Sequence, residues 1–215
     1  DWQQATASIN RTSDLLRLQP QIRDNPQSNT YPLKEISTHR KSKIPLAVTF
    51  DNVSFSYGDE GINENPALRG VSFHLEPGRV LGLLGRTGSG KTTISRLLFR
   101  LYDPSGGSIR LGGIDLRDLP LTDLRRQVGM VTQDVQLFQA TVRDNLTFFN
   151  RAIPDERLEQ VLKQLRLWDW AQSLPNGLET PLAGGQSLSA GEAQLLAFAR
   201  VFLKDPGLVI LDEAS

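Results

Sequence analysis

Residues 85–92 combine three glycines with a lysine and a threonine at a fixed spacing. In order they are Gly85, Arg86, Thr87, Gly88, Ser89, Gly90, Lys91 and Thr92, which fit Gly-x-x-x-x-Gly-Lys-[Ser/Thr] and are called the phosphate loop below. Glycines let the backbone wrap closely enough to aim N–H groups at phosphate oxygens. Lys91 would reach the β- and γ-phosphates of a nucleotide, and the Thr92 hydroxyl would bind Mg²⁺. The alternative is a glycine-rich turn; the apolar residues 80–84, which predict a strand leading into the loop, favour the phosphate site.

Two adjacent carboxylates follow the last apolar run of the chain. Asp212 and Glu213 come directly after residues 208–211, which are Leu-Val-Ile-Leu. An aspartate at the end of a buried strand beside a phosphate loop can hold Mg²⁺ through oxygen ligands. The next glutamate is then placed to orient and deprotonate an attacking water. The pair could instead mark a plain helix N-terminus, but the phosphate loop upstream favours Asp212 as a metal ligand and Glu213 as a general base.

A serine and a glutamate three residues apart open a predicted helix. Ser189, Ala190, Gly191 and Glu192 match Ser-x-x-Glu, which predicts a capping box with Ser189 as N-cap. These residues could do no more than start the helix. They could also bind an anion, because a helix N-terminus presents N–H groups and the positive end of the dipole.

The elements that position these residues alternate between strands and helices, which predicts a parallel α/β sheet. Apolar alternation predicts strands near residues 48–57 and 71–75, and short apolar runs predict strands at 128–132 and 208–211. Gly112 and Gly113 separate two short strands and predict a hairpin. Helical spacing follows the phosphate loop as far as Asp103, returns at residues 158–165, and starts again at Ser189.

Composition sets limits on the class of protein. Hydrophobic residues make up 39% and charged residues 22%, which is ordinary for a globular protein. Lys plus Arg number 24, and Asp plus Glu also number 24, so no overall positive charge favours binding to nucleic acid. Without cysteine there are no disulfides or thiolate metal sites. No run reaches the ~18 apolar residues of a membrane span.

The first 45 residues differ from the rest of the chain in their composition and apolar spacing. Residues 1–18 have loosely helical apolar spacing, whereas residues 19–45 hold four prolines and a basic run and predict a linker. The basic run is interpreted as a solvated tether, with contact to anionic lipid as the alternative. The chain opens without methionine and stops just after an apolar strand, so we expect both ends to lie inside a longer protein.

The motifs together resemble the nucleotide-binding domain of ABC transporters, whose signature sequence reads Leu-Ser-Gly-Gly-Gln. In chain order they are the phosphate loop, Gln133 after a strand, residues 188–192 and residues 208–213, and the resemblance covers about residues 46–215. It implies an α/β fold of the P-loop NTPase type with a mainly parallel core sheet, an antiparallel β subdomain and an inserted α-helical subdomain at about residues 135–205. ATP and Mg²⁺ are the implied cofactors, and ATP hydrolysis is the implied activity.

The resemblance also implies roles for single residues. Tyr57 would stack on adenine, the alternative being a core strand tyrosine. Gln133 would contact the γ-phosphate, Mg²⁺ and water and would sense the membrane partner, although a glutamine after a strand is usually a loop residue. Thr93 would extend the phosphate loop. Ser189 and Gly191 would touch the γ-phosphate bound in the opposite protomer.

Two departures from the family pattern bear on turnover. Ala190 replaces a glycine of the signature, and Glu192 replaces its glutamine and adds a negative charge. The family also places a D-loop and a switch histidine beyond the position of Ser215. By this resemblance, we expect the chain to bind ATP and, by itself, to turn it over poorly.

Residues 130–138 and 141–146 resemble the exporter branch of the family. Exporters join the ATPase to the end of six membrane helices, so residues 1–18 resemble the end of the last helix. This implies upstream transmembrane domains, a second ABC ATPase domain as partner in a homo- or heterodimer, a place at the cytoplasmic face of a membrane, and no nucleic acid. The alternatives are a soluble ABC ATPase, against which the exporter-like segment argues, and a degenerate non-hydrolysing subunit, against which Glu213 argues.

Overall fold

Four antiparallel strands form the first sheet of this computed structural model, which describes residues 13, 20, 22–24, 45–58, 66–132, 134–182 and 188–212. The sheet order is β2-β1-β3-β4, with β1 Val48–Phe55, β2 Leu68–Leu75, β3 Gly106–Leu111 and β4 Ile114–Asp115. Alternate residues of β1 are buried, as its apolar pattern predicts. A register shift between Phe50 and Val53, where Asn52 has φ 50°, moves this alternation by one residue.

The hairpin predicted around Gly112 and Gly113 is confirmed. Leu111 pairs with Ile114, and the two glycines have φ values of 60° and 86°. Positive φ at both turn residues is the geometry that lets a two-residue turn follow the twist of the strands.

Helix α1 (Lys91–Leu98) begins inside the phosphate loop and packs against the antiparallel sheet. Ile94, Leu97 and Leu98 share a hydrophobic core with β1, β2 and β3. The helix stops before the predicted end at Asp103, because Arg100 adopts a left-handed φ of 49°. The buried Arg100 side chain donates to Asp103 Oδ1 at 3.0 Å and to the Leu119 carbonyl at 3.2 Å, which fixes this turn.

A second hydrophobic core belongs to the helices that follow. They are α3 (Val142–Thr147), α4 (Asp155–Gln164), α5 (Trp168–Ser173) and α6 (Ala190–Lys204), whereas Leu124 of the preceding helix α2 (Leu121–Gln127) belongs to the first core. The core runs from Val142 to Ala199, and Trp168 and Trp170 pack on it. Among the described residues, no helix is both long and apolar enough to cross a membrane.

Two short parallel strands bring distant parts of the chain together. Strands β5 (Val128–Val131) and β6 (Leu208–Leu211) pair in register, with Val128 opposite Leu208 and Val131 opposite Leu211. The Asp212 N–H continues the ladder by donating to the Val131 carbonyl at 2.9 Å. Asp212 therefore stands at the carboxyl end of β6, where the sequence predicts it. Together with the antiparallel sheet and the helices, the pair gives the α/β fold predicted from the motifs.

Residues 80–84 do not form the strand that their apolar run predicts. In the described part of the chain no strand pairs with them, and Val80 and Leu84 are 97% and 100% exposed. A strand requires ladder hydrogen bonds to a neighbour, so an apolar run alone does not create one. Leu81, Gly82 and Leu83 instead face β6 across a cavity of about 340 Å³.

The first 45 residues are described only at 13, 20, 22–24 and 45. Asp24 Oδ1 accepts a hydrogen bond from the Leu121 N–H at 2.7 Å, at the start of α2. Arg100 donates to the Arg23 carbonyl at 3.3 Å. These contacts hold part of the predicted linker against Arg100 and the start of α2. The rest of segments 1–18 and 19–45 lies outside the described residues, and the predicted domain boundaries stay predictions.

Candidate nucleotide-binding site

Two glycines of the phosphate loop adopt a backbone conformation that other residues avoid. Gly88 and Gly90 have φ values of 83° and 90°. A Cβ atom at Gly90 would lie 2.9 Å from the Ala67 carbonyl oxygen and 2.6 Å from Leu68 Cδ2. Both the angle and the space therefore require glycine at position 90. Residues 85–89 are exposed, so the loop is open to a ligand.

Lys91 folds back over the phosphate loop. Its Nζ donates to the Gly85 carbonyl at 2.7 Å and to the Arg86 carbonyl at 3.1 Å, both at the surface. Gly90, the N-cap of α1, supplies no side-chain cap. The first turn of α1 therefore points N–H groups and the positive end of its dipole toward the loop. A flexible ammonium, a helix N-terminus and a glycine backbone together form the donor set that a polyphosphate needs.

Lys91 and Asp212 line the same cavity of about 340 Å³, between α1 and β6. Thr92, the predicted hydroxyl ligand, is exposed in the first turn of α1. In the part of the chain that the structure describes, no group of three or more His, Cys, Asp or Glu side chains could hold a metal. Magnesium usually takes one or two carboxylates, waters and substrate phosphates, so one hydroxyl and one carboxylate beside a phosphate loop fit it.

Two predicted catalytic residues, Gln133 and Glu213, lie outside the described residues. The residues before them are described: Thr132 follows β5 and Asp212 follows β6. Because β5 and β6 are parallel neighbours, Thr132 and Asp212 leave the sheet at the same edge. Thr132 Oγ1 donates to the Asp134 carbonyl at 3.0 Å. The roles of Gln133 and Glu213 stay predictions.

Tyr57 follows β1 and lies half-buried beside α1. Its ring meets Phe55 and Tyr102 edge to face, with centroid distances of 4.8 and 5.3 Å. The Tyr57 hydroxyl is 3.1 Å from Thr93 Oγ1. This contact brings the predicted adenine-stacking residue next to the residue that follows Thr92. The core packing that the alternative interpretation requires is present as well.

The capping box predicted at the start of α6 is confirmed. Ser189 Oγ accepts from the Glu192 N–H at 3.3 Å, while Glu192 Oε2 accepts from the Ser189 N–H at 2.8 Å. The Ser189 hydroxyl also donates to Glu192 Oε2 at 2.7 Å. Gly191 is exposed, with no atom within 4 Å of a Cβ built on it. The main packing partners of α6 are α3, α4 and β5, so the helical part of the fold holds this N-terminus.

Comparison with known proteins identifies what this combination of loop, strands and capped helix belongs to. A family model described as ABC transporter matches residues 68–215. The chain belongs to the ABC transporter family. The solved structure of a bacterial Atm1-family ABC exporter with ATP bound is similar to this ABC transporter chain, with a TM-score of 0.82 and 32% identity. The similarity covers 99% of this chain and 35% of that one.

Curated relatives are ABC transporter proteins too. The uncharacterized ABC transporter ATP-binding protein YknV of Bacillus subtilis is 37% identical over 97% of this chain and 32% of its own length. The human mitochondrial iron-sulfur clusters transporter ABCB7 is 37% identical over 100% of this chain and 27% of its own. The chain spans about a third or less of the length of the curated relatives it matches.

Glu192, which departs from the ABC transporter signature, should make the start of α6 sensitive to acid. The hydrogen bond from the Ser189 hydroxyl, followed by that from the Ser189 N–H, lowers the pKa of the Glu192 carboxyl below its ordinary value of 4.5. Because the folded-state pKa is lowered, the cap stabilises fully above the unfolded pKa and is lost as pH falls through the folded pKa.

We expect Glu192→Gln to lower the free energy of unfolding at pH 7 by less than about 1 kcal/mol, because the side chain lies at the surface and is only partly buried. It should also flatten the change of that free energy between about pH 5 and pH 3. Urea unfolding at pH 7, pH 5 and pH 3 measures the two effects. Glu156→Gln, in the first turn of α4, is the matched control. If Glu192→Gln left the change of the unfolding free energy with pH unaltered, Glu192 would not be the source of the acid sensitivity.

Arg200 makes a structural link that the motifs did not reveal. From α6 its Nε donates to the Asn145 carbonyl at 2.8 Å and its Nη1 to the Gln136 carbonyl at 3.0 Å. Its guanidinium lies 4.8 Å from the centroid of the Phe148 ring. Burial lowers the pKa of Arg200. Arg200 thus joins the helix that Ser189 starts to the segment that follows position 133. Its partners lie about fifty or more residues away in the sequence, so spacing gives no signal for it.

Proposed function

We propose that the chain is the ATP-binding and hydrolysing module of an ABC exporter. In this role it would power transport of a substrate across a membrane by ATP-driven closure of two such modules. The observation that carries the proposal is the cavity lined by Lys91 on the phosphate-loop side and Asp212 at the end of β6. The relatives support it, because the names of several describe transporters and one similar structure is an exporter with ATP bound.

The residues of the site fit distinct parts of MgATP. The loop from Gly85 to Thr93 would bind the phosphates through backbone N–H groups and Lys91, and Tyr57 would stack on adenine. Thr92, Asp212 and Gln133 would hold Mg²⁺, which when bound neutralises charge that develops on the phosphates. Glu213 would orient the attacking water and accept a proton from it, and Gln133 would contact the γ-phosphate, Mg²⁺ and that water.

The N-terminus of α6 would complete the site of a second copy. Ser189 and Gly191 are exposed at the positive end of a fifteen-residue helix, where an anion is favoured. We propose that they contact the γ-phosphate held by the partner's phosphate loop. The Ser189 hydroxyl already donates a hydrogen bond to Glu192, so the phosphate must compete with that carboxylate for this hydrogen bond. The partner is therefore a second ABC ATPase domain, identical or related.

Further parts of the proposal concern the longer protein. Transmembrane domains would be joined upstream, and the module would work at the cytoplasmic face of the membrane. No nucleic acid partner is expected, since the net charge is +0. The runner-up functions are a soluble ABC ATPase and a non-hydrolysing partner subunit.

Ligand-induced stabilisation tests the proposal. At 100 times its dissociation constant, MgATP should stabilise the folded chain by about 2.7 kcal/mol, which raises the melting temperature by roughly 5–10 °C for a chain of this size. Adenosine, which lacks phosphates, is the control and should cause little shift. Phosphate release, measured in the longer protein that carries this module, separates a hydrolysing module from a non-hydrolysing one. Equal melting temperatures with and without MgATP would refute the proposed function.

A further inference from the structure

Arg96 on α1 makes two different contacts with Tyr57. Its Nη1 donates to the Tyr57 hydroxyl at 3.2 Å, and its guanidinium carbon lies 5.7 Å from the centroid of the Tyr57 ring. The first contact is a hydrogen bond and the second has the geometry of a cation–π interaction. Arg96 itself is exposed, so these contacts are made at the surface beside the phosphate loop.

Thr93 holds the same hydroxyl from the other end of the same helical turn. Its Oγ1 lies 3.1 Å from the Tyr57 hydroxyl, and its side chain is buried. Thr93 and Arg96 are three residues apart on α1 and therefore lie on one face of the helix. The Tyr57 hydroxyl is thus shared between two residues of the helix that begins in the phosphate loop.

Two aromatic side chains outside α1, Phe55 and Tyr102, also constrain the Tyr57 ring. Phe55 and Tyr102 meet the ring edge to face, which sets its plane by packing. Packing of this kind leaves the outer end of a tyrosine able to shift over the surface. A hydrogen bond and a cation over the ring restrict that motion, so the ring is held ready before a flat ligand arrives.

We propose that Arg96 is a positioning residue for the base of the nucleotide. It holds the Tyr57 ring in the orientation on which a purine stacks, and it ties that ring to the helix that carries the phosphate loop. Arg96 acts through Tyr57 and does not itself contact the phosphates. The inference rests on the proposed function, because it requires that a nucleotide bind at this loop.

Ligands with and without a base separate this role from a general effect on folding. Binding of MgATP and of magnesium tripolyphosphate is measured on the full chain for the wild type and Arg96→Ala. We expect Arg96→Ala to weaken MgATP binding about threefold to tenfold, the typical cost of ordering one unrestrained side chain on binding. Tripolyphosphate binding should change less than about twofold. Arg125→Ala, an exposed arginine on α2, is the matched control and should change neither.

A double-mutant cycle tests whether the effect passes through the ring. In a Tyr57→Ala background, Arg96→Ala should have no further effect on MgATP binding. Arg96→Lys keeps the cation and should recover part of the lost affinity. Equal losses for MgATP and tripolyphosphate, an unchanged affinity for MgATP, or the same loss in the Tyr57→Ala background would each overturn the proposal for Arg96. A wild type that binds neither ligand would overturn the proposed function itself and this inference with it.

Discussion

Lys91→Ala is expected to weaken MgATP binding by at least about 100-fold and to abolish the stabilisation that the nucleotide gives. In the structure the Lys91 ammonium is already held over the phosphate loop, bonded to the Gly85 and Arg86 carbonyls. A bound polyphosphate would replace these neutral acceptors with charged ones, and hydrogen bonds between charged groups are worth roughly 1.5–3 kcal/mol each. Losing two of them costs about 3–6 kcal/mol, which corresponds to a factor of 100 or more. Isothermal titration and melting temperatures measured with and without MgATP check it.

The matched control for this prediction is an exposed lysine away from the loop. Lys163 on α4 pairs with Glu159 at 2.5 Å on the surface, and Lys163→Ala should leave MgATP binding unchanged. The Lys91 bonds to the loop are exposed, so Lys91→Ala should cost less than about 1 kcal/mol of stability without nucleotide. An Lys91→Ala protein that binds MgATP as well as the wild type would remove Lys91, and with it the phosphate loop, from the proposed site.

Glu213→Gln should reduce ATP turnover by about 100-fold to 10,000-fold while MgATP binding is retained. Glutamine has the shape of glutamate but cannot accept a proton from water, and general base catalysis typically contributes a factor of this size. Binding should persist because Lys91, Thr92 and Asp212 are unchanged. Phosphate release in the longer protein that carries this module measures turnover, and nucleotide titration of the same sample measures binding.

Two further variants make the test of Glu213 specific. Glu156→Gln changes an exposed glutamate of α4 in the same way and should leave turnover unaltered. Asp212→Asn removes the predicted metal carboxylate, so it should lower turnover and should also make MgATP binding less dependent on Mg²⁺. Glu213→Gln should keep the full dependence of binding on Mg²⁺. Normal turnover in Glu213→Gln would exclude Glu213 as the base. A wild type that binds MgATP without any turnover would favour the non-hydrolysing subunit instead.

Local sequence patterns predicted those parts of the fold that local hydrogen bonds hold. The turn at Gly112 and Gly113 and the capping box of Ser189 and Glu192 both appear as predicted. In each, all the interacting groups lie within a few residues, so residue type and spacing are enough. The family membership follows from the same kind of information, because the phosphate loop and the later motifs are short, ordered patterns.

The sequence could not decide features that depend on neighbours from elsewhere in the chain. Residues 80–84 have the apolar character of a strand, yet no described strand pairs with them, and hydrogen-bonding partners decide whether a strand exists. The early end of α1 likewise follows from the buried Arg100, whose carbonyl acceptor at Leu119 is 19 residues away.

By itself, the sequence determined the family and the capped start of α6, and it predicted the phosphate loop. Only the tertiary structure placed Lys91 and Asp212 on one cavity, Arg96 on Tyr57, and Arg200 on Asn145. The physical reason is the range of the interactions. Caps and turns close within one helical turn or hairpin, whereas these contacts span 39 residues for Tyr57 and Arg96 and 55 for Asn145 and Arg200. They exist only because strand pairing and core packing bring distant parts of the chain together.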